Sequence, residues 1–294
     1  MIIASGRTAA AWSLLNTSGE TIVAGLPSLA DGQPDTVTRF TWGTGAQTTS
    51  SMFRLRGDWT AAVAPGVFML SNISLPPGTR IECWLRRVGD PAGTYPYEPA
   101  AWVSSTRIFA HPRGGGRNAV FWFKPGATAV IGVEFRIFND VNGAATIPAS
   151  TLFILGEAVA PLRTTEIDVG PDVAWPWLDP TTTKINWNDA PRPTPGSPYR
   201  QLTFKLPADR QLHYYGDPND ATTLDYEALL SWIDRGQMAV YIPRYLDESA
   251  GFSSYMLHRT ALIGMATKLP NVSHASGPNF QSDMCTVMEA PIPA

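Results

Sequence analysis

The chain has 294 residues, enough for two domains of ordinary size, each with its own hydrophobic core. Its net charge is −3, its pI is near 5.8, and only 16 % of its residues are charged, against about 25 % in typical soluble proteins. This balance argues against a broad nucleic-acid-binding surface. Its apolar runs are shorter than the roughly 20 residues that a membrane-spanning helix needs, and its first residues do not have the pattern of a secretory signal.

The composition favours short strands joined by turns. The sequence contains 26 Pro, 25 Gly and 10 Trp, which is typical of all-β proteins with little helix. Its two cysteines, Cys83 and Cys285, lie in different strand-like runs and lack metal-ligand spacing. We therefore expect both to be small buried side chains. A surface with so little charge also favours contact with partner subunits.

The first half predicts a β-sandwich, because short apolar runs recur with turn signals between them. In chain order the runs are Ala10–Leu15, Met52–Arg56, Val67–Leu75, Arg80–Arg86, Trp102–Phe109, Asn118–Phe123, Ala129–Phe138 and Leu152–Glu157. The fourth run alternates most clearly. Its odd-numbered residues Ile81, Cys83 and Leu85 should face the core, and its even-numbered residues should face the other way.

The segment from Ala158 to Pro198 separates the two halves and is rich in tryptophan and proline. Its prolines fix the backbone and remove amide donors, so a central strand is not expected there. Two interpretations remain open: an extended loop on the second domain with buried tryptophans, or an arm that reaches a neighbouring subunit. Under the second, Trp175, Trp177 and Trp187 are candidate interface residues, since tryptophan is enriched among interface anchors.

The last third predicts a second, smaller β domain with one helix. A strand over Tyr199–Leu206 is followed by a helix that begins near Leu224 and ends at Gly236. Three strand patterns come next: Met238–Pro243, Leu257–Met265 and Phe280–Glu289. The predicted fold class is therefore all-β with one short helix, in two β-sandwich or jelly-roll-like domains. The predicted boundaries are 1–160, 161–198 for the connecting arm, and 199–294.

The order strand, helix, strand, strand, strand resembles the ring-forming domain of tail-tip (baseplate, distal-tail-like) proteins of long-tailed bacteriophages. In that family a helix closed by glycine precedes a hydrophobic strand that ends in proline, as at Gly236 and Pro243, and the chain ends on a strand like Phe280–Glu289. The first half is similar to a galactose-binding-like jelly roll, through Leu29–Thr36 and the phrase Met69–Leu85. Phage tail-tip proteins often carry such a domain directly before the ring domain.

The resemblance implies a virion structural protein that forms a ring at the distal end of the tail, in three or six copies. Its partners would be copies of itself and other tail-tip and tail-tube proteins, and it would assemble in the host cytoplasm before residing in the virion. Met238 and Val240 are further interface candidates, because an uncharged strand would be an aggregation hazard if it lay at a sheet edge.

A carbohydrate-binding module for host attachment is the competing class, with a host-surface glycan as partner. Jelly rolls bind sugars through loop aromatics and a few polar groups, although the fold alone does not grant this function. The candidate residues are Trp42, Trp59, Tyr95, Tyr97 and Trp102.

The sequence offers little to support catalysis, so we expect no enzyme, metal or cofactor. It has no nucleophile-elbow, zinc-protease or phosphate-loop motif, and its four histidines are scattered. A third alternative, a glycan hydrolase, would rest on the acidic residues Asp217, Asp220, Asp225 and Glu227, because two carboxylates can perform glycosidic acid–base chemistry. A solvated loop and an acidic first helical turn explain the same residues.

Overall fold

The computed structural model describes residues 1–5, 10–31, 36–96, 101–103, 105–110, 117–123, 128–160, 163–167, 173–178, 182–185, 191–194, 199–210, 226–234, 238–247, 251–252, 254–274 and 279–289. Strands dominate these residues, which confirms the predicted all-β class. The described part also contains two short α-helices, α1 (Tyr226–Asp234) and α2 (Ser254–Thr260). A 3-10 turn covers Leu26–Leu29.

The strands of the first half are β1 Ile2–Ser5, β2 Ala11–Leu15, β3 Thr21–Ala24, β4 Thr38–Thr41, β5 Met52–Val63, β6 Val67–Leu70, β7 Thr79–Arg87, β8 Ala101–Val103, β9 Ser105–Arg107, β10 Phe109–Ala110, β11 Arg117–Phe123, β12 Val130–Val141, β13 Leu152–Leu155 and β14 Ala158–Val159. Those of the second half are β15 Arg163–Glu166, β16 Val173–Ala174, β17 Trp177–Leu178, β18 Thr182–Ile185, β19 Pro191–Thr194, β20 Tyr199–Phe204, β21 Asp209–Arg210, β22 Ala239–Ile242, β23 Leu246–Asp247, β24 Gly251–Phe252, β25 Leu262–Lys268, β26 Val272–His274, β27 Asn279–Ser282 and β28 Cys285–Glu289.

The first half forms a sandwich of antiparallel sheets. One wall is a sheet in the order β2-β5-β12-β7-β9, called the arginine sheet below. The opposite wall is the middle sheet, β10-β11-β6-β14 with β8 on β11, together with a small sheet, β13-β4-β3. Aromatic side chains such as Phe53, Phe121 and Phe135 fill the core between these walls. The alternation predicted for Arg80–Arg86 is confirmed, because its odd-numbered residues are fully buried and its even-numbered ones are half-buried.

The second half is built on one long sheet in the order β15-β1-β22-β25-β28-β20-β16, with β17 also paired to β20. Helix α1 covers one face of this sheet, where Leu229 and Ile233 pack with Tyr241 and Val287. Part of the opposite face packs against the middle sheet, which places Val240 in a shared core. The structure therefore stacks the arginine sheet, the middle sheet, the long sheet and α1 in that order.

The first strand departs from the predicted domain division. Residues 1–160 were expected to form one unit, but β1 lies inside the long sheet of the second half. Ile2 pairs with Glu166 on one side and with Ile242 on the other. Ile2 and Ala4 contribute to the core against the middle sheet, and Ile3 faces α1. The strand is buried on both faces, which explains why its first three residues, Ile2, Ile3 and Ala4, are all apolar.

This placement predicts a stability effect at the N-terminus. Ile3→Val should lower the free energy of unfolding by about 1 kcal/mol, because it removes a methylene from a fully buried site. The matched change Ile22→Val on strand β3, at a side chain that is 39 % exposed, should change it by only a few tenths of a kcal/mol. Equal effects in urea titrations of both variants would contradict the position of β1.

Two predicted interface residues lie in the interior, which corrects that prediction. Val240 is fully buried and Met238 nearly so, in the shared core between the long and middle sheets. Strand β22 is central, paired with β1 and β25, and has no open edge. The strand is uncharged because both of its faces are covered within its own chain.

A second correction concerns Leu257–Met265, which was predicted as one strand. The first part of this run is helical, in α2, and β25 begins at Leu262. Leu257 and Ala261, four residues apart, both point into the shared core. This i, i+4 spacing suits a helix, and it was the available signal for a second helix.

Candidate functional site

The aromatic residues proposed to bind sugar are largely inside the fold. Trp42, Trp59 and Tyr95 are only 2 %, 6 % and 3 % exposed, so their rings are not available to stack on a ligand. Each also has an internal partner for its polar atom: Trp42 Nε1 donates to Gln47 Oε1, and Trp59 Nε1 donates to the Val130 carbonyl. Tyr95 Oη donates to Asp58. This corrects the prediction for these three residues, which are core residues.

The other two sugar-binding candidates remain predictions. Tyr97 lies outside the described residues. The backbone of Trp102 belongs to β8, which pairs with β11, but its side chain is outside the description.

The tryptophan-rich segment pairs with its own subunit over the described part. Strands β16 and β17 both pair with β20 at the edge of the long sheet. Trp175 is half-buried against the core under α1, and the Arg200 guanidinium lies 5.6 Å from the Trp177 ring centre. This supports the interpretation as a segment lying on its own domain. A role in subunit contact for the exposed parts of both rings stays a prediction, and Trp187 lies outside the described residues.

The face of the long sheet opposite α1 is only partly covered by the middle sheet. The rest of that face is exposed. We call this the methionine face; it consists of Gln201, Thr203, Met265, Thr286 and Met288. Met265 and Met288 are directly opposite each other on β25 and β28, and are 41 % and 37 % exposed. Gln201 pairs with Met288, and Thr203 with Thr286, so all five side chains point the same way. An exposed pair of flexible apolar side chains on a sheet face is suited to contact with another protein.

A second apolar patch lies on the small sheet of the first half. We call it the small-sheet patch; it consists of Val23 and Leu152, which are 54 % and 60 % exposed. Ile22, which is 39 % exposed, pairs with Phe40, whereas Leu152 pairs with Thr41, so Ile22 lies on the opposite face of the sheet from Leu152. Ile22 and Val23 belong to β3, which pairs only with β4 among the described strands and so presents an open edge. Unpaired edges with exposed apolar residues are favourable sites for association.

The outer face of the arginine sheet carries a built polar network. At its centre Glu134 is fully buried beneath three guanidinium groups, and we call these four residues the arginine cluster. Arg54 Nη2 donates to Glu134 Oε1 at 2.8 Å and to Oε2 at 2.9 Å. Arg56 Nε donates to Oε2 and Arg136 Nε to Oε1, each at 2.6 Å. Strand register explains this convergence, because Glu134 of β12 pairs with Arg56 of β5.

Neighbouring aromatic rings hold two of the three arginines in place. The Arg136 guanidinium lies 4.3 Å from the Trp84 ring centre, and that of Arg56 lies 5.1 Å from the Tyr95 ring centre. Such cation–π contacts add to the charge-assisted hydrogen bonds. The cluster is thus held in place by contacts within the chain.

Two pKa shifts fix the protonation states in this network, with Glu134 ionised and Tyr95 neutral. Burial would raise the pKa of Glu134, but the hydrogen bonds from Arg54, Arg136 and Arg56 outweigh it and bring the pKa below its usual value. Burial and the hydrogen bond to Asp58 raise the pKa of Tyr95, so its hydroxyl stays protonated and donates. Glu134 is therefore an ionised acceptor at neutral pH.

The described residues contain no group of three or more side chains that could hold a metal ion. Within the same part of the chain, no helix is long and apolar enough to cross a membrane. Of the acidic residues weighed for glycan hydrolysis, Glu227 is exposed in the first turn of α1, and Asp217, Asp220 and Asp225 lie outside the description. Cys83 and Cys285 are both buried, as predicted, and burial raises the pKa of the Cys285 thiol.

No family model matches the sequence, and a comparison with curated proteins finds no match either.

Proposed function

We propose that the protein is a non-enzymatic structural subunit of the tail tip of a long-tailed bacteriophage, and that it assembles with copies of itself into a ring. The sequence resemblance of the last third to tail-ring domains motivates the proposal. The observation that carries it is the methionine face, with the exposed Met265 and Met288 at its centre, on a sheet whose other part already forms an interface with the middle sheet.

A second copy of the chain is the occupant that best fits this face. A ring needs two different surfaces on each subunit, because a head-to-tail interface joins one patch to another and closes after a fixed rotation. The chain offers two such areas on different sheets: the methionine face and the small-sheet patch. In the proposed ring, the methionine face of one copy packs against the small-sheet patch of the next.

Low charge supports the same arrangement. Only 16 % of the residues are charged, and the five side chains of the methionine face are all uncharged. Interface cores are depleted in charged residues and enriched in methionine. Lys268 pairs with Thr286 at one end of this face and is exposed, so a second copy would bury the two methionines while leaving this charge at the rim.

The test is the assembly state of purified protein, measured by sedimentation velocity and negative-stain electron microscopy. Wild-type protein should form closed rings of three or six copies at high concentration. Met288→Lys and Val23→Lys should each block ring formation, because a buried unpaired charge opposes association. Val88→Lys, at a loop position that is 63 % exposed and outside both areas, is the matched control and should still form rings.

Mixing the two blocked variants separates a ring from a symmetric dimer. Each variant keeps one intact surface, so an equal mixture should form a heterodimer and nothing larger. Wild-type protein that stays monomeric at all concentrations would overturn the ring. Dimers that depend on Met288 alone would overturn the head-to-tail arrangement.

A further inference from the structure

The arginine cluster holds more positive charge than its carboxylate neutralises. Three guanidinium groups face Glu134, and the described residues supply no other carboxylate to them. Elsewhere on the same face the paired cations and carboxylates are equal in number: Arg86 pairs with Asp58, and Arg80 and Arg107 pair with Glu82 and Asp140, Arg80 with both. The excess positive charge is therefore concentrated at the centre of the sheet.

Several donors of the cluster are left over after its internal hydrogen bonds. Arg54 and Arg56 use only Nη2 and Nε, respectively, in contacts with the described residues. Arg54 Nε is buried and has no hydrogen-bond partner there. The guanidinium side chains are 15 % to 25 % exposed, so solvent and a ligand can reach their outer edges. Guanidinium groups with free donors suit planar or tetrahedral oxyanions.

The geometry points to a binding site for an oxyanion at the arginine cluster, and we propose that it takes a carboxylate or phosphate group carried by a larger anionic molecule. Glu134 fixes the three guanidinium groups from below, and Trp84 and Tyr95 fix two of them by ring contacts. The ligand group would bind from the solvent side, on the face opposite Glu134. This site is separate from both proposed ring surfaces, so it does not depend on ring assembly.

Two sources of the anion are distinguished by the probes. An oligomer of galacturonic acid presents carboxylates on sugar rings, and inorganic polyphosphate presents phosphates without sugar. Maltohexaose is the neutral control. Binding is measured at low salt by isothermal titration calorimetry, and one of the two anions should bind while maltohexaose does not. Affinity should fall as salt rises, because the contact is between charges.

Variants then locate the site. Arg56→Gln and Arg136→Gln should each weaken binding by at least about tenfold, the effect of removing one charge-assisted hydrogen-bonding group. Arg107→Gln, on the same sheet face but outside the cluster, is the matched control and should leave affinity unchanged. Equal weakening by Arg107→Gln would show a diffuse charge effect and overturn the site.

A measurement on the wild-type protein covers the case in which a variant fails to fold. Each arginine gives a side-chain Nε–Hε signal in a nitrogen-15 NMR spectrum. Titration with the anion should shift the signals of Arg54, Arg56 and Arg136 and leave that of Arg107 in place. No shift at the cluster with saturating galacturonate oligomer and polyphosphate would overturn the proposal.

Discussion

Glu134→Gln is expected to lower the free energy of unfolding by about 3 kcal/mol at neutral pH, the cost of removing one partner from a buried ion cluster. Three guanidinium groups lose the charged oxygen pair that they share. The amide of glutamine keeps one acceptor and turns a donor toward the arginines. Glu82→Gln, on the same sheet but half-buried, is the matched control and should cost less than about 1 kcal/mol.

The pH dependence gives a second readout of the same variant. Because the pKa of Glu134 in the folded state is below its usual value of 4.5, its stabilising contribution is complete above that pH. The contribution is lost as the pH falls through the lower folded-state value. The stability difference between wild type and Glu134→Gln should therefore shrink in urea titrations from pH 6 toward pH 3. A difference that stays constant over this range would contradict the ionised cluster.

Arg200→Met should destabilise the second half by roughly 3 to 5 kcal/mol. Arg200 is 4 % exposed and binds Glu289 through its guanidinium, with Nε 3.1 Å from both carboxylate oxygens. It also donates to the carbonyls of Arg259 and Ala261, where α2 passes into β25. The substitution leaves a nearly buried carboxylate and two carbonyls without these donors.

A double variant tests whether the buried charge is the cause. In Arg200→Met with Glu289→Met, no charge remains to be desolvated, so the protein should be more stable than Arg200→Met alone. Hydrogen exchange should show faster opening of the amides near Ala261 in the single variant. A double variant that is less stable than the single one would mean that packing, and not charge, dominates at this site.

Local patterns predicted the parts of this fold that depend on neighbouring residues. The alternation in Arg80–Arg86, the burial of Cys83 and Cys285, and the existence of α1 all follow from side-chain period and size. The secondary structure of Leu257–Met265 was harder to predict, because a short apolar stretch fits a helix and a strand equally well. The structure divides it between α2 and β25.

The candidate surfaces depend on register and long-range pairing, which one sequence does not contain. Arg54 and Arg56 alternate with buried residues, so their outward direction was predictable. Their convergence on Glu134 requires the pairing of β5 with β12, which are far apart in the chain. Residue type likewise could not separate surface rings from core rings. Trp59 and Tyr95 are core residues because their polar atoms form hydrogen bonds inside the protein.

The central position of β1 has a consequence for synthesis on the ribosome. Its two neighbours in the long sheet come from residues 163–166 and 240–242. At roughly 5 to 20 residues per second, translation reaches the second neighbour about 10 to 50 seconds after Ile2 and Ile3 emerge. The strands of the arginine sheet all lie between residues 11 and 141, so that part of the protein can fold during the wait. A nascent chain of this protein thus holds β1 without a strand partner until residues 163–166 have been made, and with an open edge until residues 240–242 follow, so chaperone binding at β1 would protect it.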